Sequence, residues 1–286
     1  MRPCASASTC AWLKAVPGKV WFVGAGPGDP ELITVKGRAL LERAGAILFA
    51  GSLVDVAATR YAPAACVIRD SKDMTLEAMT AWLLDAAGRH DTVVRLQTGD
   101  PGLYGALIEM TRPLTAAGID WAVVPGVSSA MAAMAAAGET LTLPEVTQTV
   151  ILTRVAGRTP MPPGEDLAAL AAHHSTLCIY LSITLLHEVQ RALRAAGWRE
   201  DAPMLVVQKA SWPGEEKIIR GTLADIKKKC QAEKVGAQAM IVASPTLGAG
   251  DRVGIARSKL YDPAFAHRFR QASVAADAPT GEPVHE

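Results

Sequence analysis

The sequence predicts two successive α/β domains, each built on its own sheet. Short apolar runs typical of strands alternate with helical patterns along most of the chain, as in β/α units. Glycine-rich turns follow several of these runs directly, so they stand at the carboxyl ends of strands, where ligands bind in open α/β sheets. The chain has 286 residues, half of them hydrophobic, which is enough for two cores of ordinary size.

The first half begins with a predicted strand at residues 20–23, a turn at residues 24–30 with the sequence GAGPGDP, and a helix at residues 31–44. The turn differs from the dinucleotide-binding fingerprint, because Asp29 stands where the third glycine belongs. Pro27 and Pro30 also remove two amide donors that a pyrophosphate would need. The turn is therefore better suited to a ligand without phosphates.

Two further glycine-rich turns follow later strands of the same half, at residues 98–102 and 125–129. Because the carboxyl ends of parallel strands share one edge of a sheet, these turns can face the same crevice as the first. Thr75 is a candidate helix N-cap, and Pro113 is expected to break or bend its helix. Strands are predicted at 46–50, 65–68, 92–96 and 121–124, and helices at 75–87, from 105 to at least 110, and at 129–137.

The second half follows a predicted linker at residues 139–148, so the domains are expected at 18–138 and 149–250. Gly197 is placed to terminate a helix as its C′ residue. Residues 1–17 are expected to form a disordered extension and residues 251–286 an irregular tail. Strands are predicted at 149–152, 176–181, 204–207, 216–220 and 239–242, and helices at 165–173, 185–196 and 223–233. The strand at 216–220 is expected to pair in a hairpin.

Composition narrows the class of function. The formal net charge is +1, so no overall field favours nucleic acid or an acidic membrane surface as a partner. The five cysteines are odd in number and have no metal-binding spacing, which predicts buried free thiols in a reducing cytoplasm and no metal site. No apolar run approaches the length of a membrane span. The chain also lacks a P-loop and a Ser-His-Asp pattern.

The three glycine-rich turns together, with Tyr104 and Gly105 after the second, resemble those of the tetrapyrrole methylase family. Four later stretches are similar to those of one subgroup, the precorrin-4 C-11 methyltransferases of cobalamin biosynthesis: LPEVTQT at 143–149, GRTPMP at 157–162, ASWP at 210–213 and SKLYD at 258–262. The resemblance extends over about residues 18–270. It implies S-adenosylmethionine as cofactor in the cleft between two α/β domains, methylation of precorrin-4 at C-11 to precorrin-5, and a homodimer.

The resemblance also implies which residues line the cofactor. Asp100 is the most economical charged contact with the positive sulfonium or the amino group, although an aspartate there also suits a cap on the following helix. For the last strand the alternatives Met240 and Ile241 stay open. The implied cofactor-binding residues are Pro27, Thr98, Gly99, Asp100, Ser128, Ser129, Leu181, Ala210, Met240 and Ile241.

Four residues are candidates for the chemistry: Asp100, Tyr104, Arg154 and Arg158. Methyl transfer from a sulfonium needs alignment more than acid–base help. Arginines bind carboxylates bidentately, so Arg154 and Arg158 suit the carboxylate-rich tetrapyrrole, although either could be solvated surface charge. Tyr104 could stack beneath a pyrrole ring or pack under its own loop.

Three other functions remain to be weighed. Within the family, the substrate could be another corrin precursor or uroporphyrinogen III. Ribosomal-RNA methyltransferases share the family fold, but the near-neutral charge and the lack of a basic stripe count against RNA. A nicotinamide-dependent oxidoreductase is disfavoured by Asp29 in the first turn.

Overall fold

The computed structural model describes residues 18–251 and 258–273. Within them the chain forms two α/β domains, as predicted. The expected N-terminal extension at 1–17 lies outside the described residues, as do residues 252–257 and 274–286 of the expected tail. The described part of the tail holds Asp251, which ends a 3-10 turn at Ala249–Asp251, a second 3-10 turn at Lys259–Tyr261 and an isolated bridge between His267 and Arg270.

The first domain is a parallel sheet of five strands in the order β3-β2-β4-β1-β5. Both faces are covered, which explains why the central strands read as nearly continuous apolar runs. The strands are β1 Lys19–Gly24, β2 Ala46–Phe49, β3 Val67–Asp70, β4 Thr92–Gln97 and β5 Trp121–Val124. The helices are α1 Val35–Leu41, α2 Leu76–Ala87, α3 Leu107–Ala116 and α4 Ser129–Ala137.

Two helix predictions in this domain need correction. The single helix expected at 31–44 is a 3-10 turn at Pro30–Leu32 followed by α1, because Asp29 caps the first element and Thr34 separately caps the second. At Pro113, where a break or a bend is expected, the helix does not break, since α3 continues through that residue to Ala116. The predicted cap at Thr75 is confirmed, because its hydroxyl oxygen accepts a hydrogen bond from the Ala78 N–H at 3.2 Å.

The second domain is a mixed sheet in the order β6-β7-β10-β8-β9. Only β6 and β7 are parallel; the predicted hairpin between β8 and β9 is confirmed as an antiparallel pair. The strands are β6 Val150–Arg154, β7 Thr176–Tyr180, β8 Pro203–Gln208, β9 Lys217–Thr222 and β10 Ala239–Ala243. The helices are α5 Leu167–Ala171, α6 Leu186–Ala195 and α7 Ile226–Ala232.

Helix α4 packs against the second sheet, although the boundary predicted at residue 138 assigned it to the first domain. Its buried residues Ala130, Ala133 and Met134 share one apolar cluster with Val207 and Met240 of the second sheet. The small side chains let the helix axis lie close to the strands. The chain therefore passes from one domain to the other at the third glycine-rich turn, ahead of the predicted linker.

The predicted linker is itself fastened to the second domain by hydroxyl groups. The Thr246 hydroxyl donates to the Thr140 carbonyl oxygen at 2.6 Å, and the Thr176 hydroxyl donates to the Leu141 carbonyl oxygen at 2.7 Å. Buried carbonyls need such partners. The first residues of this segment are thus part of the second domain and do not form a free tether.

The thiols follow the prediction in part. Cys66, Cys178 and Cys230 are unpaired, and Cys178 and Cys230 are buried whereas Cys66 is only half-buried. Burial raises the pKa of Cys178 to about 12 and that of Cys230 to about 11. Among residues 18–251 and 258–273, no helix has the length and apolar character to cross a membrane.

Candidate active site

The three glycine-rich turns meet at the carboxyl edge of the first sheet, and their glycines allow the approach. A Cβ on Gly24 would lie 2.5 Å from the Gly99 carbonyl oxygen and 2.6 Å from the Gly126 Cα. A Cβ on Gly126 would lie 2.1 Å from the same oxygen. The Gly99 N–H donates to the Gly26 carbonyl oxygen at 2.8 Å. Only glycine permits this contact of three backbones, so the turns form one wall.

The second domain closes a cleft against that wall. Nine of the ten predicted cofactor-binding residues line the cavity in this cleft. Ile241 does not: it is fully buried in the core on the other face of its sheet, because successive strand residues alternate sides. The cavity is lined by Pro27, Leu53, Thr98, Gly99, Asp100, Leu103, Tyr104, Ser128, Ser129, Tyr180, Leu181, Ile183, Val207, Lys209, Ala210, Trp212, Gln238, Ala239 and Met240.

Backbone strain is concentrated around the cavity. Nine described non-glycine residues have a positive φ, and four of them line the cavity: Tyr104, Leu181, Lys209 and Gln238. Left-handed backbone is costly for such side chains and persists where the surrounding structure enforces it, most often at functional sites. These four positions favour the cleft as the candidate functional site, in addition to its sequence motifs.

Asp100 joins the second turn to the third. Its Oδ1 accepts a hydrogen bond from the Gly102 N–H at 2.8 Å, and its Oδ2 accepts one from the Gly126 N–H at 3.0 Å. The alternative role as a helix cap is excluded, since α3 starts after Ala106 and has no side-chain cap. A carboxylate oxygen has lone pairs for a further donor, so Asp100 can hold the wall together and still face a cationic ligand.

Ser128 and Tyr180 connect the two domains inside the cleft, and Tyr180 was not predicted as a site residue. Their hydroxyl oxygens lie 2.7 Å apart, and Ser128 also caps α4. Burial raises the pKa of Tyr180 above its ordinary value, so the phenol is neutral at physiological pH. The only sequence signal for Tyr180 is its place at the carboxyl end of a strand, where site residues gather.

Three more hydrogen bonds join the domains at the cleft. The Trp212 indole N–H donates to the Pro27 carbonyl oxygen at 3.1 Å, and the Asp29 N–H donates to the Ser211 hydroxyl at 3.1 Å. The Gln238 side-chain amide donates to the Ser52 carbonyl oxygen at 3.0 Å. Trp212 therefore forms part of the cavity wall as well as a clasp between the domains.

The two arginines predicted to bind substrate carboxylates lie outside the cavity lining. Arg154 directs its guanidinium to its own loop, donating to the carbonyl oxygens of Thr159 at 3.2 Å and Pro160 at 2.6 Å. These bonds shape the loop that carries Arg158, which is exposed. Lys209 lines the cavity but is paired with Glu215 and lies 4.8 Å from the Trp212 ring centroid.

Comparison with known proteins agrees with this geometry. The family model described as Tetrapyrrole (Corrin/Porphyrin) Methylases matches residues 19–227. A cobalt-precorrin-4 C(11)-methyltransferase of Methanocaldococcus jannaschii is 46% identical over 254 residues, which cover 89% of this chain and 96% of that protein.

Two solved structures have the same fold. The X-ray structure of a cobalt precorrin-4 methyltransferase matches with a TM-score of 0.77 at 45% identity, covering 79% of this chain and 95% of that one. A uroporphyrin-III C-methyl transferase from Thermus thermophilus, complexed with S-adenyl homocysteine, matches with a TM-score of 0.66 at 29% identity, covering 81% and 94%.

Proposed function

Because the chain belongs to the tetrapyrrole methylase family, we propose that it transfers a methyl group from S-adenosylmethionine to C-11 of precorrin-4. The products are precorrin-5 and S-adenosylhomocysteine, and the pathway is cobalamin biosynthesis. The relative from Methanocaldococcus jannaschii bears the name of this reaction with a cobalt-containing substrate. The observation that carries the proposal is the interdomain cavity, which is lined by nine of the residues predicted to hold the cofactor.

The residues that line the cleft suit the charge and shape of S-adenosylmethionine. Asp100 offers a carboxylate beside the cavity for the positive end of the ligand, where an opposite charge is stabilising. Leu103, Val207 and Met240 supply an apolar surface for the flat adenine ring. When bound, the sulfonium supplies an electrophilic methyl group and leaves as a neutral thioether, so no residue of the chain has to protonate a leaving group.

The residues of the chain then contribute by orientation. A nucleophilic ring carbon must approach the methyl carbon in line with the sulfur, and such alignment supplies much of the rate. Tyr104 is half exposed at the cavity edge, with its ring centroid 5.3 Å from that of Tyr180. We assign Tyr104 to the surface that receives the macrocycle. The new bond joins C-11 to the methyl carbon, the bond from methyl carbon to sulfur breaks, and the ring loses a proton to solvent.

Arg158 is the candidate for binding the carboxylates of the tetrapyrrole. It is exposed on the loop that Arg154 shapes by hydrogen bonds to backbone carbonyls. A guanidinium binds a carboxylate with two parallel hydrogen bonds. Arg154 is then a residue that presents Arg158, and the two together set substrate affinity.

We also propose that the enzyme is a cytoplasmic homodimer that binds neither nucleic acid nor a membrane. The dimer is supported by the family resemblance and by β3, an edge strand whose Val67 and Ile68 are half exposed. An exposed edge strand presents unpaired N–H and C=O groups that can pair with another chain. The free buried thiols of Cys178 and Cys230 fit a reducing compartment. Light scattering coupled to gel filtration measures the dimer directly.

The test uses S-adenosylmethionine labelled with carbon-13 in its methyl group. The enzyme is incubated with precorrin-4, with its cobalt complex and with uroporphyrinogen III in parallel, and each product is analysed by NMR. A label at C-11 of precorrin-4 or its cobalt complex is the expected result. A label at another carbon, or only on uroporphyrinogen III, would refute the substrate assignment and keep the reaction type. RNA is tested in a further incubation, and transfer to RNA alone would refute a tetrapyrrole as the substrate.

A further inference from the structure

Gln97, the last residue of β4, lies directly beneath the second glycine-rich turn. It is 5% exposed, and its side-chain Nε2 donates a hydrogen bond to the Gly105 carbonyl oxygen at 2.6 Å. This contact joins the end of β4 to Gly105, which follows the turn at residues 98–102. A Cβ on Gly105 would lie 2.6 Å from the Pro101 carbonyl oxygen and 2.8 Å from Gln97 Nε2. The turn is therefore closed tightly upon the amide.

The bond fixes a strained piece of backbone. Tyr104 and Ala106, which flank Gly105, have φ values of 55° and 49°. A tyrosine in the left-handed region is uncommon, and it persists only where neighbouring contacts enforce it. The buried amide of Gln97 holds the carbonyl of Gly105, the residue between the two strained ones, and so restrains the backbone from which the Tyr104 side chain projects.

Tyr104 in turn contacts a residue of the cavity wall. Its ring lies against that of Tyr180 with a centroid separation of 5.3 Å. Tyr180 in turn shares a 2.7 Å hydrogen bond with Ser128 at the start of α4. A continuous series of contacts thus runs from Gln97 in the first domain to the two tyrosines and the serine that line the cleft.

The amide oxygen of Gln97 is a second, independent observation. Oε1 of Gln97 is buried and has no hydrogen-bond partner among the described residues. A buried polar atom without a partner is unfavourable, and a methionine of similar size would avoid that penalty. Gln97 is therefore a polar residue at a buried position that an apolar side chain could fill, and its amide makes one hydrogen bond there, to Gly105.

We propose that Gln97 is a positioning residue for the methyl transfer: it acts through Gly105 to hold Tyr104 in place at the cavity edge. This inference rests on the proposed function, because the substrate is assigned to the surface that Tyr104 offers. Gln97 itself is not part of the cavity lining, so it acts without touching cofactor or substrate.

The chain provides a matched control. Gln190 is 6% exposed and its Nε2 donates to the Leu223 carbonyl oxygen at 2.5 Å, but it lies on α6, away from the cavity lining. Gln97→Met and Gln190→Met each remove one buried amide that bonds one carbonyl. Any general effect of such a loss on folding is common to both variants, whereas an effect on the tyrosine pair is specific to Gln97.

The first readout needs no substrate. The chain has four tyrosines, so 3-fluorotyrosine labelling gives a simple fluorine NMR spectrum in which Tyr104→Phe identifies one signal. Gln97→Met is expected to shift or broaden the Tyr104 signal, and Gln190→Met to leave it in place. An unchanged Tyr104 signal in Gln97→Met would overturn the proposal whatever the enzyme methylates.

The second readout is catalytic. Gln97→Met is expected to lower kcat about 10- to 100-fold, as small misplacements of a positioning group do, with the dissociation constant of S-adenosylhomocysteine changed less than about threefold. In a Tyr104→Ala background the same substitution should have little further effect, because the positioned group is gone. An equal loss in that background, or no more loss than in Gln190→Met, would contradict the role. A wild-type enzyme inactive on every acceptor would instead refute the proposed function and leave the fluorine spectrum to decide the positioning.

Discussion

Gly28→Ala is the substitution whose effect the structure defines most sharply. Gly28 lies between Pro27 and Asp29 in the first turn, facing the indole of Trp212. A Cβ at this position would lie 2.1 Å from Trp212 Cδ1 and 2.5 Å from Nε1. Carbon atoms in contact prefer about 3.5–4.0 Å, so the turn and the indole must separate by roughly 1.5 Å. The clash lies between the two domains, at the rim of the cavity.

The magnitude follows from two effects. Overpacking of this kind costs about 1–3 kcal/mol. The separation also stretches the hydrogen bond from the Trp212 indole to the Pro27 carbonyl oxygen, now 3.1 Å, beyond a useful length. If the closed cleft alone bears an overpacking cost of about 1–3 kcal/mol, S-adenosylhomocysteine binds about 5- to 150-fold more weakly. Isothermal titration calorimetry measures that change.

Two controls distinguish a clash with Trp212 from a general loss of stability. Gly236 is exposed, and a Cβ there would meet nothing within 4 Å, so Gly236→Ala should bind the ligand normally. In a Trp212→Ala background the added methyl has no indole to meet, so Gly28→Ala should then have little further effect. Wild-type affinity for S-adenosylhomocysteine in Gly28→Ala would refute the role of the Gly28–Trp212 contact in binding. An equally large loss of affinity in the Trp212→Ala background would refute it as well.

Arg158→Ala should raise KM for the tetrapyrrole about tenfold while sparing S-adenosylhomocysteine affinity, since hydrogen bonds to charged groups contribute about 1.5–3 kcal/mol; the remote Arg199→Ala is its control, and equal loss of both affinities would count against the role. Tyr180→Phe should lower the unfolding free energy by about 1 kcal/mol in urea, because it removes the 2.7 Å bond to Ser128; an unchanged midpoint would contradict this. Burial raises the pKa of the Cys178 thiol from 9.0 to about 12, so the unfolded chain loses this proton first as pH rises. The unfolding free energy should therefore fall between pH 9 and about 12, by up to about 1.4 kcal/mol per pH unit. Cys178→Ala should flatten that fall, and parallel curves for the two proteins would refute it.

The three glycine-rich turns were predictable because a short stretch of sequence identifies each of them. An apolar run followed by glycines indicates a strand end, and parallel pairing brings strand ends to one edge. The structure adds what local patterns do not contain, namely which backbones touch. Gly24, Gly99 and Gly126 are far apart in sequence, and only the fold shows that each leaves room for another.

Helix α4 illustrates why a domain boundary is harder to predict. Its sequence shows small apolar residues on all sides, but not which sheet covers them. It follows a strand of the first sheet, so the simplest expectation places it there. In the structure Ala133 and Met134 pack with strands of the second sheet, because the third turn carries the chain across the cleft.

The sequence also does not show which side chains form hydrogen bonds in the folded protein. Tyr180 and Ser128 are 52 positions apart, and their hydrogen bond depends on the docking of two domains. Gln97 looks like an ordinary end of a buried strand until its amide is found on Gly105. Between Met240 and Ile241, strand alternation predicts that just one faces the cavity; which one depends on which face of the sheet is covered by α4.

A crystal structure of the protein with S-adenosylhomocysteine would show where the cofactor binds. We expect ligand density in the interdomain cavity, between Asp100 on one wall and Met240 on the other, with Trp212 still bonded to Pro27. Density at another site, in crystals of protein that transfers the methyl group in solution, would contradict the assignment of this cleft as the place of reaction.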